Sequence, residues 1–108
     1  MPDLVAIAAR LQEQARTDAV RISIHAHQET IEEDVSYDEL REVLLDAQVV
    51  ENYADHKRGS CCLACGRTRK ERYIHVVCTT GLEVAVIITV YEPVAPKWVS
   101  PFERGVSR

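Results

Sequence analysis

The sequence predicts an α+β domain in which helices cover one face of an antiparallel sheet. Three observations carry this prediction. Apolar residues recur at helical spacing in the first half of the chain, up to residue 47. From residue 48 onward they follow strand periodicity, with many β-branched side chains. The strand segments between residues 60 and 91 are joined by short connections, so they are expected to be sequential, antiparallel neighbours.

Three helices are expected. Residues 3–16 place Leu4, Ile7 and Leu11 on one face, which predicts an amphipathic helix. Residues 25–34 are rich in helix-forming residues but lack a continuous apolar stripe, which predicts a short, largely exposed helix. The helix over residues 37–47 begins with a capping box, because Ser36 can accept from the Glu39 backbone N–H while Glu39 reaches back to the N–H of Ser36.

Strands account for most of the remaining sequence. They are expected at residues 20–24, 49–53, 61–66, 72–79 and 84–91. A turn is expected at residues 67–70 and a tight turn at residues 80–81. Prolines at positions 93, 96 and 101 predict an extended, non-helical tail.

Alternation along the strands assigns side chains to the two faces of the sheet. In the strand over 72–79, one row holds Ile74, Val76 and Cys78, and the other holds Tyr73, His75, Val77 and Thr79. In the strand over 84–91, we expect Val84, Val86, Ile88 and Val90 beneath the helices and Ala85, Ile87, Thr89 and Tyr91 on the opposite row. The second face would then be partly open, polar and aromatic, beside an arginine-rich turn.

Length and composition indicate one soluble domain with an ordinary core. The 108 residues are 46% hydrophobic and 28% charged. We divide the domain into an extra N-terminal helix at 1–19, a core at 20–98 and an extended tail at 99–108. No secretory leader or membrane-spanning run is recognised, so the expected location is the cytoplasm and no membrane partner is expected.

The charge is unevenly distributed. Residues 1–54 carry 12 acidic and 4 basic side chains, whereas residues 55–108 carry 5 acidic and 9 basic ones. The sequence pI near 5.5 argues against non-specific coating of nucleic acid. Arg67, Arg69 and Arg72 nevertheless form a local basic cluster that suits a small anionic site, with solvated charge at a hairpin tip as the simpler alternative.

The cysteines allow two interpretations. Cys62 and Cys65 have the CxxC spacing of a metal-binding knuckle, followed by Gly66. The knuckle requires a loop, however, and this segment is expected to be a strand on which residues three apart point to opposite faces. We therefore expect the thiols to be small buried apolar groups, retain metal binding only as a weak alternative, and predict no cofactor.

Histidines are the candidate proton-transfer groups, because their side chains titrate near neutral pH. His75 lies in mid-strand on the polar row and is the strongest candidate. His25 lies where a strand meets a helix, where it could act in catalysis or satisfy a buried carbonyl.

Several blocks of sequence resemble the bacterial family named domain of unknown function 4258. They are HAxxE, the capped helix, VVENY, CCLxxGRT, HVVC and IITVYEPxxPKW, and they run from about His25 to Trp98. The resemblance implies a curved, four- to five-stranded antiparallel sheet similar to that of the RelE, BrnT and MqsR toxins. It also implies a toxin that cleaves RNA and is bound by a protein antitoxin over its open face. Some members carry arginines where this chain has Glu29 and Glu33, which weakens the RNA expectation.

Two functions follow as hypotheses. In the first, the chain is a toxin-like, metal-independent endoribonuclease: His75 and His25 transfer protons, Tyr91 positions a base or donates a hydrogen bond, and Arg67, Arg69 and Arg72 stabilise the phosphate. In the second, the chain is a non-catalytic binding or regulatory module that docks a partner or forms a homodimer. The extra N-terminal helix and the acidic first half favour the second hypothesis.

Overall fold

A computed structural model of the protein describes residues 3–57 and 59–105. The helices are α1 (Leu4–Arg16), α2 (Ile24–Glu32) and α3 (Tyr37–Leu45). The strands are β1 (Val20–Ile22), β2 (Gln48–Tyr53), β3 (Cys61–Arg67), β4 (Tyr73–Thr79), β5 (Ala85–Tyr91), β6 (Trp98–Ser100) and β7 (Glu103–Arg104). The α+β prediction is confirmed. The parts of the predicted segments at residues 1–2 and 106–108 lie outside the described residues.

Local sequence signals set the start of every helix. Asp3, Ser23 and Ser36 each accept from a backbone N–H three residues ahead. The predicted capping box is present, with 3.0 Å in both directions between Ser36 and Glu39. Because Ser23 caps α2, the first strand ends at residue 22 and the prediction that it extends to Ile24 is wrong.

The five-stranded sheet has the order β1-β5-β4-β3-β2. Neighbouring strands from β2 to β5 are antiparallel, as predicted, but β1 pairs with β5 in parallel. A parallel partner needs a long connection, and here all of α2, α3 and β2–β4 lie between the two strands. The predicted tight turn at residues 80–81 is instead an irregular connection from residue 80 to residue 84.

A β-bulge changes the faces assigned to β5. Val77 pairs with Thr89 and Cys78 pairs with Ile87, so Ile88 is the extra residue. Val90 therefore lies beneath the helices as predicted, but Ile87 and Ala85 join it there in place of Ile88, Val86 and Val84. The expectation for the N-terminal half of this strand is wrong because strict alternation cannot pass through a bulge.

The main core lies between the sheet and helices α1 and α3. Leu11 and Ala15 of α1 and Leu40, Val43 and Leu44 of α3 cluster with Ala64, Ile74, Val76 and Ile87 of the sheet. Gly66 permits the closest approach, since a Cβ there would lie 2.0 Å from the backbone oxygen of Val43. The absence of a side chain at residue 66 thus sets how closely α3 approaches β3.

Helix α2 lies along the exposed edge of β5. Ser23 N donates to Ile87 O at 3.0 Å, at the point where β1 ends. Beyond it, the carboxylates of Glu29 and Glu33 accept from Val90 N at 2.9 Å and Glu92 N at 2.7 Å. These glutamates satisfy the edge N–H groups that no strand reaches.

The tail folds back over the other face of the sheet. The described part of the tail, residues 99–105, is non-helical, as the prolines predicted, and contains extended strands. The sequence did not predict that β6 and β7 pair as a separate two-stranded hairpin. Gly105 N donates to Lys97 O at 2.7 Å and completes the hairpin. Its packing buries His75 at the centre of this face, whereas Tyr73, Val77, Thr89 and Tyr91 stay half-buried, so the face is partly open, as expected.

Candidate functional site

The candidate site is the sheet face opposite α1 and α3, which we call the covered face. It carries the polar row predicted from the sequence: in the observed register, His75 pairs with Tyr91 and Val77 pairs with Thr89. Strand β3 adds Leu63 and Cys65, and β2 adds Glu51 and Tyr53. The tail hairpin, residues 98–104, lies over these side chains.

His75 is fully buried at the centre of the covered face. Its Nδ1 lies 3.1 Å from the Tyr91 hydroxyl and its Nε2 lies 2.6 Å from the backbone oxygen of Pro101. Trp98 packs edge-on against the imidazole, with ring centroids 4.4 Å apart. The structure thus brings two predicted catalytic residues together, with His75 enclosed under the tail and Tyr91 half-buried beside it.

These hydrogen bonds define the tautomer of His75. A carbonyl oxygen only accepts, so Nε2 donates to Pro101, and Nδ1 of the neutral ring then accepts from the Tyr91 O–H. Burial lowers the pKa of His75, although the Pro101 carbonyl and Glu51 oppose this effect. Burial also raises the pKa of Tyr91. Both groups are therefore neutral near pH 7.

An ion pair joins the tail to the sheet beside His75. The guanidinium of Arg104 donates to both carboxylate oxygens of Glu51, at 2.5 and 2.8 Å. The Tyr53 hydroxyl donates to the same carboxylate. The Arg104 hydrogen bonds lower the pKa of Glu51, and burial, followed by the Glu51 hydrogen bond, raises the pKa of Tyr53 to about 12.

Aromatic contacts complete the tail's attachment. The Arg104 guanidinium lies 4.8 Å from the ring centroid of Trp98, within cation–π distance. Phe102 meets Tyr73 edge to face at 5.8 Å. Trp98 is only 3% exposed, and its indole N–H has no hydrogen-bond partner among the described residues that meets normal geometry. The indole is therefore held by packing.

The three predicted phosphate-binding arginines are engaged with carboxylates. Arg69 pairs with Glu42 at 3.1 Å, and Arg67 lies 4.0 Å from Glu71. Arg72 donates to the Asp34 carbonyl at 2.7 Å and to the Glu33 carbonyl, so it binds the C-terminal end of α2. It also lies 3.4 Å from Glu92 and 3.9 Å from Glu39.

Arg69 and Arg72 line a cleft of about 920 Å³ between the α2–α3 junction and the β3–β4 turn. Lys70 lies on the same wall, and the other wall carries acidic residues: Asp34, Asp38, Glu39 and Glu42. The Ser36 backbone N–H lowers the pKa of Glu39 and keeps that carboxylate charged. Opposite charges therefore face each other across the cleft and largely cancel.

His25 lies apart from His75. It belongs to α2, is largely exposed, and lies 3.4 Å from Glu29. Its neighbour Ala26 is buried in the core between the sheet and helices α1 and α3, away from the covered face. The expectation that His25 and His75 share proton transfer is therefore wrong for this arrangement of the chain.

All four cysteines are buried and reduced. Cys62 pairs with Cys78 on the face that packs against α1 and α3. Cys65 pairs with His75 on the opposite face, which is the covered face. The weak alternative of a Cys62–Cys65 metal knuckle is wrong, because these side chains project from opposite faces of β3. Burial raises the pKa of Cys65 to about 12, which keeps this thiol protonated.

Sequence reasoning missed Glu51, Tyr53, Trp98 and Arg104 as members of the site. Glu51 and Tyr53 stand two residues apart on one strand, so they share a face, and this spacing was available as a signal. No sequence signal indicated the position of Arg104, because its partner Glu51 lies 53 residues earlier in the chain.

Comparison with known proteins identifies one matching family. Residues 22–92, about two thirds of the chain, match the family described as domain of unknown function (DUF4258). No curated protein and no solved structure matches the chain. None of the described helices is long and apolar enough to cross a membrane. The chain belongs to the DUF4258 family, and its fold is a five-stranded α+β sheet with three helices.

Proposed function

We propose that the chain is a non-catalytic binding module that docks a protein partner. One observation carries this proposal: both ring nitrogens of His75 are occupied within the chain, by Tyr91 and by Pro101. A general base needs a free lone pair within hydrogen-bond distance of its substrate. The Nε2–H tautomer has its only lone pair on Nδ1, and the Tyr91 hydroxyl already donates to it.

The arginines support the same proposal. An RNA phosphate would have to displace Glu42 from Arg69 and would meet further carboxylates around the cleft. Arg72 is used to satisfy the last carbonyls of α2. Phosphate recognition normally presents unpaired Arg or Lys side chains, because counterion release drives the binding. The four reduced cysteines suit a reducing compartment, which supports the cytoplasm as the place of action.

The experiment measures RNA binding and cleavage by the purified full-length chain. A fluorescently labelled RNA is incubated with the wild type and with Arg104→Ala, in which the Glu51 ion pair is lost. We expect neither protein to cleave the RNA or to bind it tightly at physiological salt. Cleavage by either protein that disappears in the matching His75→Ala version would reject the proposal.

A second candidate function is RNA cleavage by a toxin-like protein controlled by an antitoxin. The 3.1 Å contact between His75 and Tyr91 favours it, because the pair holds a potential base and a potential acid on one face. Buried groups with displaced pKa values are also more common at functional sites than elsewhere. Induced expression in a host without the partner would then slow growth and degrade mRNA, and His75→Ala would relieve both effects. Unimpaired growth and intact mRNA would count against this candidate.

A further inference from the structure

We infer that the covered face is a docking site for a partner's peptide segment that bears an indole and a guanidinium group. The chain's own residues 98–104 occupy this site in the structure and compete with that segment. The inference rests on the proposed function, because it specifies which surface of the binding module meets its partner and which chemistry that surface selects.

The guanidinium subsite is built from two strand residues. Glu51 presents both carboxylate oxygens to Arg104, and the hydroxyl of Tyr53 holds that carboxylate in place. The planar guanidinium of arginine can donate two parallel hydrogen bonds to this carboxylate. The ammonium group of lysine is a compact charge that cannot form the same bidentate pair. The subsite therefore favours arginine over lysine.

The indole subsite lies beside it. Trp98 is enclosed between His75 and the guanidinium of Arg104, with centroid distances of 4.4 and 4.8 Å. Tryptophan and arginine are both enriched among the few residues that carry most of the binding energy of protein interfaces. The nearby Pro101 carbonyl adds a backbone acceptor for His75 Nε2. Three contacts of different chemistry thus define the ligand.

The hairpin has the character of a bound peptide more than of a sheet strand. Strands β6 and β7 pair with each other and do not join the five-stranded sheet. The hydrogen bonds that attach it to the sheet are made by side chains or by a single carbonyl, as in the Arg104–Glu51 pair and the Pro101–His75 contact. No ladder of backbone hydrogen bonds has to be broken to remove it. A segment from another protein could therefore make the same contacts.

Tethering determines how the two occupants compete. The hairpin follows β5 after a connection of only a few residues, so its effective concentration at the site is in the millimolar range. A free peptide of equal intrinsic affinity would not displace it at micromolar concentration. Weakening the hairpin's own attachment is therefore necessary to reveal binding in trans.

Cys65 provides the readout, since it is buried beside His75 on the covered face. Labelling by a maleimide, mapped to each cysteine by mass spectrometry, is compared between the wild type and Arg104→Ala in the full-length chain. We expect Cys65 to react roughly tenfold faster in the variant, which corresponds to the loss of one partly exposed, bidentate ion pair. Cys62 and Cys78, on the other side of the sheet, report global unfolding and should remain protected.

The matched control is Arg16→Ala, because Arg16 is an exposed arginine of α1 that pairs with Glu13 at 2.8 Å and belongs to a helix packed on the opposite face of the sheet. It should leave Cys65 labelling unchanged. If Arg104→Ala also exposes Cys62 and Cys78, the variant Glu51→Gln replaces it, because it removes the carboxylate charge while keeping the side-chain volume. Unchanged Cys65 labelling in both variants would overturn the inference.

The decisive step adds a synthetic peptide covering residues 93–105 to the Arg104→Ala protein, which we call the opened variant because its own hairpin is less firmly attached. The native peptide should restore the protection of Cys65, and a peptide with Arg104→Lys should restore much less. Equal protection by both peptides, or by neither, would contradict a guanidinium-selective site. If added wild-type chain protects Cys65 of an isotope-labelled Arg104→Ala chain, the occupant is a second copy, which would reject a separate partner. RNA cleavage by the opened variant would reject the proposed function whatever the peptides do, whereas failure of the peptides without cleavage would reject only this inference.

Discussion

The role of His75 depends on its neighbours rather than on its residue type. Its place in mid-strand on a polar row made it the strongest catalytic candidate in the sequence. In the folded chain the same position puts the imidazole under Trp98, with a carbonyl on one nitrogen and a phenol on the other. Both partners match the neutral ring. A proton on Nδ1 would lose the hydrogen bond from Tyr91 and would place a charge in a buried site.

This burial predicts that stability depends on the protonation of His75. Because burial lowers its pKa in the folded state, the unfolded chain, whose histidine titrates near 6.5, binds a proton more readily. Stability is therefore complete at pH 7.5 and decreases as the pH falls below about 6.5, by up to about 1.4 kcal/mol per pH unit. Urea unfolding of the wild type and His75→Gln at pH 7.5 and 5.5 measures this effect.

The variant should lose less stability than the wild type over that pH interval, even if it is less stable at both ends. Glu51 does not confound the comparison. Its pKa is lowered in the folded state, so its contribution is lost only below about pH 4.5. An identical pH dependence of the two proteins would show that His75 does not titrate in the expected range.

At the scale of elements, predictability follows the distance between interacting residues. The capping box of α3 could be predicted because Ser36 and Glu39 lie within one helical turn. The bulge at Ile88 could not be predicted from the sequence, because it depends on how β5 pairs with β4 and on the edge contacts from α2. The same limit explains the site: His75 and Tyr91 were found from strand alternation, whereas the covering hairpin depends on contacts made only after folding.

Gly66 links the packing of two elements, and its substitution tests that link. In Gly66→Ala the new Cβ would meet the backbone of Val43, which cannot rotate away as a side chain could. We expect a loss of about 3 kcal/mol or more in the free energy of unfolding, at the upper end of overpacking costs. Chemical denaturation followed by circular dichroism measures it.

Gly81→Ala is the matched control for this substitution. A Cβ at residue 81 would have nothing within 4 Å, although the positive φ of +79° adds backbone strain. We expect that strain to cost about 1–2 kcal/mol. A Gly66→Ala protein as stable as Gly81→Ala would show that α3 can move away from β3 at little cost.

At the scale of the whole molecule, the sheet is a middle layer between the helices and the tail hairpin. Helices α1 and α3 supply the larger core, and the hairpin buries a second group of side chains around Leu63, Cys65 and His75. Helix α2 seals the β5 edge and adds Ala26 to the core. The acidic residues Glu29 and Glu33, which weakened the RNA expectation, thus have a structural role as acceptors for edge N–H groups.

Arg72 holds these layers together at one corner of the molecule. Its guanidinium donates to the Glu33 and Asp34 carbonyls at the end of α2 and lies near Glu39 of α3 and Glu92 after β5. Its side chain is only 24% exposed, so these bonds are partly shielded from water. Arg69, by contrast, has a side chain that is 88% exposed and pairs with one carboxylate. Substituting these two arginines separately therefore tests whether the basic cluster stabilises the fold or is available to bind a ligand.

Arg72→Lys keeps the charge but removes the fork that reaches two carbonyls at once. We expect it to lower the free energy of unfolding by about 1–3 kcal/mol, because the α2 carbonyls lose charged donors that lysine cannot replace together. Arg69→Lys should change stability by less than about 0.5 kcal/mol. Thermal and urea unfolding of both variants provide the comparison. Equal, small effects would mean that Arg72 is free to serve a ligand, and the phosphate-binding expectation for this residue would then regain support.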